Sequence, residues 1–370
     1  MSDSKLKRSA YLNKNVGEFT DSITIGTQDY TKVDDLRYGT NPHQPAAFYK
    51  PAGFAAAIGG LEVVKNGKSG LSQTNLEDIS YALNIVKFFN EPACAVMKHV
   101  NPSGAATAAT AIDAYKKARD CDPRAAFGST IAFNVEVTEE VAADIMSTFV
   151  ECVVAPSFSD EAIAAFNDQE RFKMNKQIRI LKSGDLATLP KYVGEGEARH
   201  NTLKTLADGS VVVAEPLLTN LKSIDQIVPA TAENKACGVQ TSNVELTEQV
   251  KKDLLTAWYI NISVRSNGVV IVKEGETISV GTGEQDRVGA IEQAVAKYKF
   301  KYEGELELQG SVMASDGFFP FADGVEVSAA AGVTAFIAPA GSIKDADVIK
   351  RANELGVALV HAPERIFSHH

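Results

Sequence analysis

The sequence has few of the features that mark secreted, membrane-bound or disulfide-rich proteins. Only four of its 370 residues are cysteine, and none of them forms a C-x-x-C pair, so we expect small buried thiols in a reducing compartment. No apolar run reaches the length of about 20 residues that spans a bilayer. The opening segment, MSDSKLKRSAYLNKN, has no apolar core of the signal-peptide type. We therefore expect a cytoplasmic protein with no membrane partner.

Several catalytic motifs are also absent. The sequence contains no H-E-x-x-H, no phosphate-binding P-loop, no G-x-S-x-G, and no H-x-E combined with P-C-x-x-C. These patterns are typical, in the same order, of zinc metalloproteases, of nucleoside-triphosphate-binding proteins, of serine hydrolases and of zinc deaminases. Their absence disfavours zinc catalysis and an ATP-driven step.

Basic residues are outnumbered by acidic ones. The chain has 37 Lys and Arg against 47 Asp and Glu, a formal net charge of −10. Because nucleic-acid binding needs a basic stripe, a nucleic-acid partner is disfavoured. A small anionic ligand stays open, because a few local Arg and Lys residues can hold a phosphate inside an acidic protein.

The order of periodic segments predicts an α/β protein. Residues 74–90 repeat apolar side chains at helical spacing, with Thr74 and Glu77 placed as a capping box. A buried strand follows at 93–97. Helices are expected near 108–119, 138–149, 247–259, 285–298, 324–331 and 343–354, alternating with short β-branched runs. We divide the chain into an extension at 1–35, an α/β subdomain at 36–200, a connection at 201–246 and a second subdomain at 247–370.

The segment EPACAVMKHVNPSG places Lys98 and His99 where this strand stops. We expect the following Asn-Pro-Ser-Gly at 101–104 to form a turn. Adjacent strand residues face opposite ways, so both side chains can address one ligand only at a strand end. A neutral imidazole can accept a proton from a weak nucleophile while an ammonium steadies a developing oxyanion. The alternative is a solvated lysine beside a packed histidine.

Three further segments carry candidate binding residues. In LRYGTNPHQ, Arg37 can grip a phosphate or carboxylate, and Tyr38 can stack on a flat heterocycle. In SNGVVIVKEGETISVGTGEQDR, a hairpin is followed by Asp286, which we interpret as a helix N-cap. SDGFFPFADG groups three aromatic residues around a proline, either as a buried corner or as a wall against a planar ligand with Asp316 and Asp323 as anchors.

Six separated motifs, taken in order, resemble one family. They are LRYGTNPHQ, KHVNPSG, AAFGSTIAFN, SNGVVIVKEG with GTGEQDR, SDGFFPFADG and RIFSH. Together they are similar to AICAR formyltransferase, the C-terminal half of the bifunctional purine-biosynthesis protein, where AICAR is aminoimidazole-carboxamide ribonucleotide. The resemblance covers residues 36–369.

The resemblance implies formyl transfer from 10-formyltetrahydrofolate to the 5-amino group of AICAR. It also implies a duplicated cytidine-deaminase-like α/β unit without zinc, and active sites formed across a homodimer interface. His99 would be the proton acceptor, and Lys98 would stabilise the transition state. The implied nucleotide contacts are Arg37, Tyr38, Gly128, Glu151, Asn267, Arg287, Phe318 and Arg365. The implied folate-side positions are Val288, Asp323, Ser342 and Ile343. Supporting positions are His43, Asn101, Asp316 and His369, the last two near a site for a monovalent cation such as K⁺.

The sequence departs from this family at identifiable places. Ser103 stands where bacterial relatives usually have Cys, so we expect that side chain to be dispensable. Glu151 stands where relatives have Asp. Only about 35 residues precede LRYG, too few for the cyclohydrolase domain, so a stand-alone formyltransferase is expected. Two alternatives stay open, namely a nucleotide-binding regulatory or degenerate homologue without turnover, and a formate- and ATP-dependent ligase.

Overall fold

The computed structural model describes residues 13–67, 69–301 and 308–369. The strands are β1 (Ser22–Ile25), β2 (Gln28–Asp35), β3 (Ala47–Pro51), β4 (Glu62–Lys65), β5 (Ala93–Lys98), β6 (Asn101–Thr107), β7 (Ser129–Phe133), β8 (Val150–Ala155), β9 (Arg179–Lys182), β10 (Thr202–Thr205), β11 (Val211–Ala214), β12 (Thr231–Asn234), β13 (Gly238–Thr241), β14 (Val269–Lys273), β15 (Glu276–Gly281), β16 (Ser311–Ser315), β17 (Val333–Pro339) and β18 (Ala358–Ala362). The helices are α1 (Gln73–Val86), α2 (Ala111–Asp120), α3 (Pro123–Ala126), α4 (Glu139–Met146), α5 (Asp160–Asn167), α6 (Glu248–Asn261), α7 (Arg287–Lys301), α8 (Asp323–Ala331) and α9 (Asp345–Leu355).

One mixed sheet of eleven strands runs through the protein. Its order is β18-β17-β16-β14-β15-β6-β5-β7-β8-β9-β4. Hairpins β5–β6 and β14–β15 are antiparallel, whereas β7, β8 and β9 run parallel, as do β16, β17 and β18. The predicted α/β class is confirmed, because helices alternate with strands and cover a mixed sheet.

The order of elements repeats on the two sides of the β6–β15 contact. In each half a long helix precedes a hairpin, a helix follows the hairpin, and three parallel strands connected by helices complete the half. The match extends to single residues at constant spacing, since Asp78, Lys98 and Thr107 recur as Asp253, Lys273 and Thr282. Patterns along the sequence predicted two α/β subdomains but not this order of strands. The repetition becomes apparent when strand order is known.

Three apolar clusters give the molecule its layers. The largest packs α1 and α6 against one face of the sheet in both halves, with Leu83 and Trp258 fully buried. The opposite face is covered by α2, α4 and α5 in the first half and by α7, α8 and α9 in the second. Truncating a buried leucine such as Leu83 to alanine costs about 2–5 kcal/mol in such cores. The shared cluster therefore ties the two halves into one rigid base for the strand ends.

Smaller sheets lie outside this body. Strands β1, β2 and β3 form an antiparallel sheet that crosses the predicted boundary at residue 36, and β10–β11 and β12–β13 form separate hairpins. Every residue of β10 and β11 is exposed. Within the described part of the chain, each helix is too short or too polar to cross a membrane.

Two helix caps compare directly with the sequence predictions. The N-cap of α1 was predicted at Thr74 but is Ser72. The Ser72 hydroxyl accepts the backbone N–H of Asn75, and the Asn75 side-chain oxygen accepts the backbone N–H of Ser72. The prediction missed it because Ser72 and Thr74 are both good capping residues. Asp286 is confirmed as a cap of α7, since its carboxylate accepts the Gly289 N–H at 2.8 Å.

Candidate active site

The turn between β5 and β6 contains His99 and Val100 alone. Both have left-handed backbones, with φ of 51° and 61°, as the two central residues of a type I′ hairpin turn require. Such conformations are strained for residues other than glycine and persist only where neighbouring contacts enforce them. The Val100 N–H donates to the Asp78 carboxylate on α1 at 2.7 Å, and Asn101 Nδ2 donates to the His99 carbonyl at 3.1 Å. Helix α1 therefore holds the turn.

The predicted turn at 101–104 is wrong. Residues Asn101–Thr107 form strand β6, paired with β5 from Lys98↔Asn101 to Ala93↔Thr107. A proline inside a strand lacks a ladder donor, which is why the sequence favoured a break. The structure accommodates Pro102 opposite Met97, beside a shift of register. The expectation that Lys98 and His99 stand at a strand end is confirmed.

Lys98 reaches across to the neighbouring strand. Its Nζ donates to the Gly128 carbonyl at 2.6 Å, at the entry to β7. Gly128 is left-handed, with φ of 72°, and a Cβ there would lie 3.1 Å from Lys98 Nζ. Glycine is therefore needed both for the backbone and for the lysine. Phe127, which the sequence reading did not single out, is 59% exposed and contacts Phe149, so it presents an apolar ring beside this point.

Asp78, which interacts with the Lys98 ammonium, has a second carboxylate, that of Glu151, near it. Asp78 is only 9% exposed, and burial raises its pKa to about 6 although the Val100 N–H and Lys98 favour the ionised form. Glu151, on β8, accepts a hydrogen bond from Asn75 Nδ2 at 3.1 Å and repels Asp78. Asp78 has no catalytic motif around it, so only the fold reveals its position.

Two buried arginines face the same region. Arg37 Nη2 donates to the Tyr38 hydroxyl at 3.0 Å, and Arg37 is 6% exposed. In the described part of the chain its buried Nε has no hydrogen-bond partner. Burial and the neighbouring Arg179 lower the pKa of Arg37, while Glu151 raises it. Arg179, buried and bonded to the Gly70 carbonyl at 2.6 Å, was missed by the sequence reading. Two adjacent buried guanidinium groups favour an anionic ligand.

A second group of candidate residues lies in the other half. Arg287 forms a buried ion pair with Asp316, which is fully buried and also accepts the Gly268 N–H at 2.9 Å. Burial lowers the pKa of Arg287, and Asp316 opposes that effect. The Phe367 ring lies 4.5 Å from the exposed Arg365 guanidinium and 5.8 Å from that of Arg287. Positive charge is thus gathered around one aromatic side chain.

The aromatic segment after β16 is partly open to solvent. Phe318 is 37% exposed and Phe321 61%, whereas Phe319 is buried. The buried-corner interpretation therefore holds for Phe319 alone. A Cβ on Gly341 would lie 3.6 Å from the Phe318 ring, which places the loop before α9 beside it.

The folate-side candidates lie on three neighbouring segments of this half. Val288 is in the first turn of α7, Asp323 begins α8, and Ser342 and Ile343 precede α9. Asp323 is exposed and Ile343 is 89% exposed. The Ser342 hydroxyl accepts the Lys344 N–H at 3.0 Å.

Asn101 connects the two groups within one chain. Its Oδ1 accepts the Arg265 N–H at 3.0 Å and the Thr282 hydroxyl at 2.6 Å. Arg265 is two residues before Asn267, whose side chain donates to the Glu284 carbonyl. The backbone of Arg265 also forms an isolated β-bridge with Ser368. The start of β6, next to the His99–Val100 turn, therefore contacts the loop that carries Asn267.

The remaining candidates lie farther from these contacts. His43 is exposed in the turn closed by the Gly39 N–H and the Gln44 carbonyl. His369 is exposed, and its carbonyl accepts Lys204 Nζ at 2.6 Å. Ser103 is buried and donates to the Val96 carbonyl. It lines a cavity of about 180 Å³ between β6 and β15, together with Lys98, Asp122 and Lys297.

Across residues 13–67, 69–301 and 308–369, no group of three or more His, Cys, Asp or Glu side chains is arranged to hold a metal ion. The carboxylates of Asp78, Glu151 and Asp316 instead accept hydrogen bonds from Val100, from Asn75, and from Gly268 and Arg287, respectively.

Comparison with known proteins agrees with the motifs. The family model described as AICARFT/IMPCHase bienzyme matches residues 5–297. The bifunctional purine biosynthesis protein PurH of Anaeromyxobacter dehalogenans is 37% identical over 348 residues, which cover 92% of this chain and 60% of that protein. The proteins of the same name from Acetivibrio thermocellus and Bacillus cytotoxicus are each 37% identical, over 97% and 98% of this chain and 63% and 64% of their own lengths. The chain thus spans less than two thirds of these relatives. The chain belongs to the AICARFT/IMPCHase bienzyme family.

Proposed function

We propose that this protein transfers a formyl group from 10-formyltetrahydrofolate to the 5-amino group of AICAR, giving FAICAR and tetrahydrofolate on the route to IMP. The observation that carries the proposal is the Lys98–His99 pair at a hairpin turn anchored from two sides, in a chain of this family. The name of the relatives, bifunctional purine biosynthesis protein, supports the same reaction.

The two side chains would divide the chemistry. The AICAR amine is a poor nucleophile because its lone pair is delocalised into the ring and carboxamide. His99 would accept its proton as the tetrahedral centre forms. Lys98, held in place by the Gly128 carbonyl, would stabilise the negative formyl oxygen. General base catalysis of this kind contributes about 10²–10⁴-fold in rate, and a positioned cation adds electrostatic stabilisation of the oxyanion.

The surrounding residues would bind the two substrates. We assign the nucleotide to Arg37, Tyr38, Gly128, Glu151, Asn267, Arg287, Phe318 and Arg365. The orphaned Nε of Arg37 supports an anionic group there. We assign the folate to Val288, Asp323, Ser342 and Ile343, where exposed apolar surface suits a pterin ring. His43 and Asn101 would support the site, Asn101 through its bonds to the loop of the second half.

We also propose a homodimer with the active sites at the interface between the partners. The resemblance of the six motifs to AICAR formyltransferase supports this arrangement. The halves would be duplicated cytidine-deaminase-like units without zinc, at 36–200 and 247–370, joined by 201–246 and preceded by an extension at 1–35. The repeated order of elements supports the duplication. We place the protein in the cytoplasm.

A monovalent cation such as K⁺ is proposed near Asp316 and His369. Both carboxylate oxygens of Asp316 are already bonded, to Arg287 and to the Gly268 N–H. Backbone carbonyls would therefore provide the other ligands, and the cation would have a structural role. No transition metal is needed for the proposed chemistry.

A direct assay tests the reaction. Purified protein is mixed with AICAR and 10-formyltetrahydrofolate, and tetrahydrofolate formation is followed in the ultraviolet. We expect His99→Ala to lower kcat by at least ~10²-fold with little change in AICAR affinity, as for a lost general base. An unaltered kcat would remove His99 from the mechanism.

The same assay separates the alternatives. AICAR binding without turnover in the unaltered protein would favour a regulatory or degenerate homologue. A requirement for formate and ATP would favour a ligase. Following IMP in parallel tests the expectation that ring closure is left to another protein.

A further inference from the structure

The two halves anchor their hairpin turns in the same way. Helix α6 carries Asp253 at the position that Asp78 occupies on α1. The Asp253 carboxylate accepts the N–H groups of Glu274 and Gly275 at 2.9 and 2.8 Å. Both of these residues are left-handed, with φ of 51° and 72°. An aspartate on the helix that precedes the hairpin is therefore the device that each half uses to hold a type I′ turn.

The turn in the first half is the more demanding of the two. The second turn has Gly275 at its second position, where a left-handed backbone carries no steric cost. The equivalent residue in the first turn is Val100, a β-branched residue with φ of 61°, for which that conformation is an outlier. Asp78 accepts its N–H at 2.7 Å. The bond to Asp78 thus holds a backbone that the sequence itself disfavours.

Asp78 is surrounded by charged groups of both signs. The Lys98 ammonium attracts its carboxylate, whereas Glu151 and Glu77 repel it. Burial raises the pKa of Asp78 to about 6, so the carboxylate is ionised above pH 6 and protonated below it. The protein keeps a buried charge at neutral pH directly beneath the Lys98–His99 pair, although a neutral side chain would be easier to bury.

We propose that ionised Asp78 is a positioning residue for the formyl transfer, holding the His99–Val100 turn left-handed and so fixing the imidazole relative to the Lys98 ammonium. This inference rests on the proposed function. Asp78 does not touch a substrate. It acts through the backbone of the turn and through its attraction to Lys98.

The test compares Asp78→Asn with the matched control Asp253→Asn. We expect Asp78→Asn to lower kcat by about 10–100-fold at pH 8, with KM for AICAR changed less than about threefold, because the loss is in the orientation of the base. The thermal midpoint should stay level or rise, because the amide removes a buried charge. Asp253→Asn should lower the midpoint, because each oxygen of this carboxylate accepts one N–H group and an amide has only one oxygen, and it should leave kcat unchanged.

The pH dependence separates positioning from a structural role. The ratio of the kcat of the unaltered protein to that of Asp78→Asn should be largest above pH 7 and approach one near pH 5. At pH 5 the Asp78 side chain is protonated, so it resembles asparagine both in its lack of charge and in its weaker hydrogen-bond acceptance. Taking the ratio cancels the titration of every group that the two proteins share. A ratio of one at all pH values, or a constant ratio, overturns the positioning role.

A second variant keeps the test decisive if Asp78→Asn folds poorly. Adding Val100→Gly reproduces the residue of the second turn and removes the steric cost of a left-handed backbone at that position. We expect Asp78→Asn with Val100→Gly to recover at least about a third of the lost activity and to fold. Failure of this rescue in a folded protein contradicts the inference. Absence of turnover in the unaltered protein would overturn the proposed function itself, so the two failures are distinguishable.

Discussion

Gly128→Ala tests the link between backbone geometry and the Lys98 ammonium. Gly128 is buried, with φ of 72°, and an added Cβ would lie 3.1 Å from Lys98 Nζ and 3.2 Å from Cε1 of Phe149. The same residue's carbonyl accepts the Lys98 hydrogen bond. One methyl group therefore strains the backbone and displaces the amine that we assign to oxyanion stabilisation.

The expected magnitude has two parts. A left-handed alanine costs about 1–2 kcal/mol relative to glycine, and an extra methyl group in a packed site costs about 1–3 kcal/mol. Because the Lys98 side chain is flexible at its tip, part of the second cost is relieved by moving Nζ. We therefore expect a loss of about 2–4 kcal/mol in the free energy of unfolding, and a kcat lowered by at least ~10-fold as the ammonium leaves its position.

Gly238→Ala is the matched control. Gly238 has φ of 67°, and nothing lies within 4 Å of an added Cβ, so it carries the backbone strain alone. Urea unfolding measures both stabilities, and the formyl-transfer assay measures both kcat values. We expect Gly238→Ala to lose about 1–2 kcal/mol with unchanged kcat. If Gly128→Ala kept full kcat in the folded protein, the assigned role of the Lys98–Gly128 contact would be refuted.

Two further predictions concern buried charges. Arg287→Met should destabilise the protein by about 3–5 kcal/mol, because it leaves the fully buried Asp316 without its cation, and it should weaken AICAR binding. Urea unfolding and calorimetric titration measure the two effects, and Arg287→Met combined with Asp316→Asn should regain most of the stability if the buried charge is the cause. Lys87 is buried and donates to Asn84 and the Pro190 carbonyl, and burial lowers its pKa to about 7. Since the unfolded chain binds this proton up to its ordinary pKa, the contribution of Lys87 to stability should rise between about pH 7 and 10, by up to about 1.4 kcal/mol per pH unit. The difference in stability between the unaltered protein and Lys87→Met should change with that slope, and a difference that is independent of pH would refute the prediction.

The local elements were predictable because their signals are local. The apolar spacing of α1, the N-cap at Asp286 and the hairpin formed by β14 and β15 each depend on residues a few positions apart. The errors arose where two local signals competed. Ser72 and Thr74 both suit an N-cap, and the Pro-Ser-Gly of β6 has the composition of a turn.

The site was predictable only in part. Motifs indicated Lys98, His99, Arg37 and Arg287, because those residues lie in short recognisable segments. They did not indicate Arg179, which reaches the Arg37 region from β9, or Phe127, which stands beside Gly128. Such neighbours come from distant strands, and no spacing along the chain encodes them.

By itself, the sequence determined the α/β class, most helices and strands, the family motifs and the presence of Lys98 and His99 at a strand end, since all of these follow from patterns among near neighbours. Only the tertiary structure decided where the turn falls, because the conformation of His99 and Val100 depends on Asp78 from another element. It also decided that one sheet joins two similarly ordered halves. These features depend on burial and pairing between distant segments, which become defined only when the chain is folded.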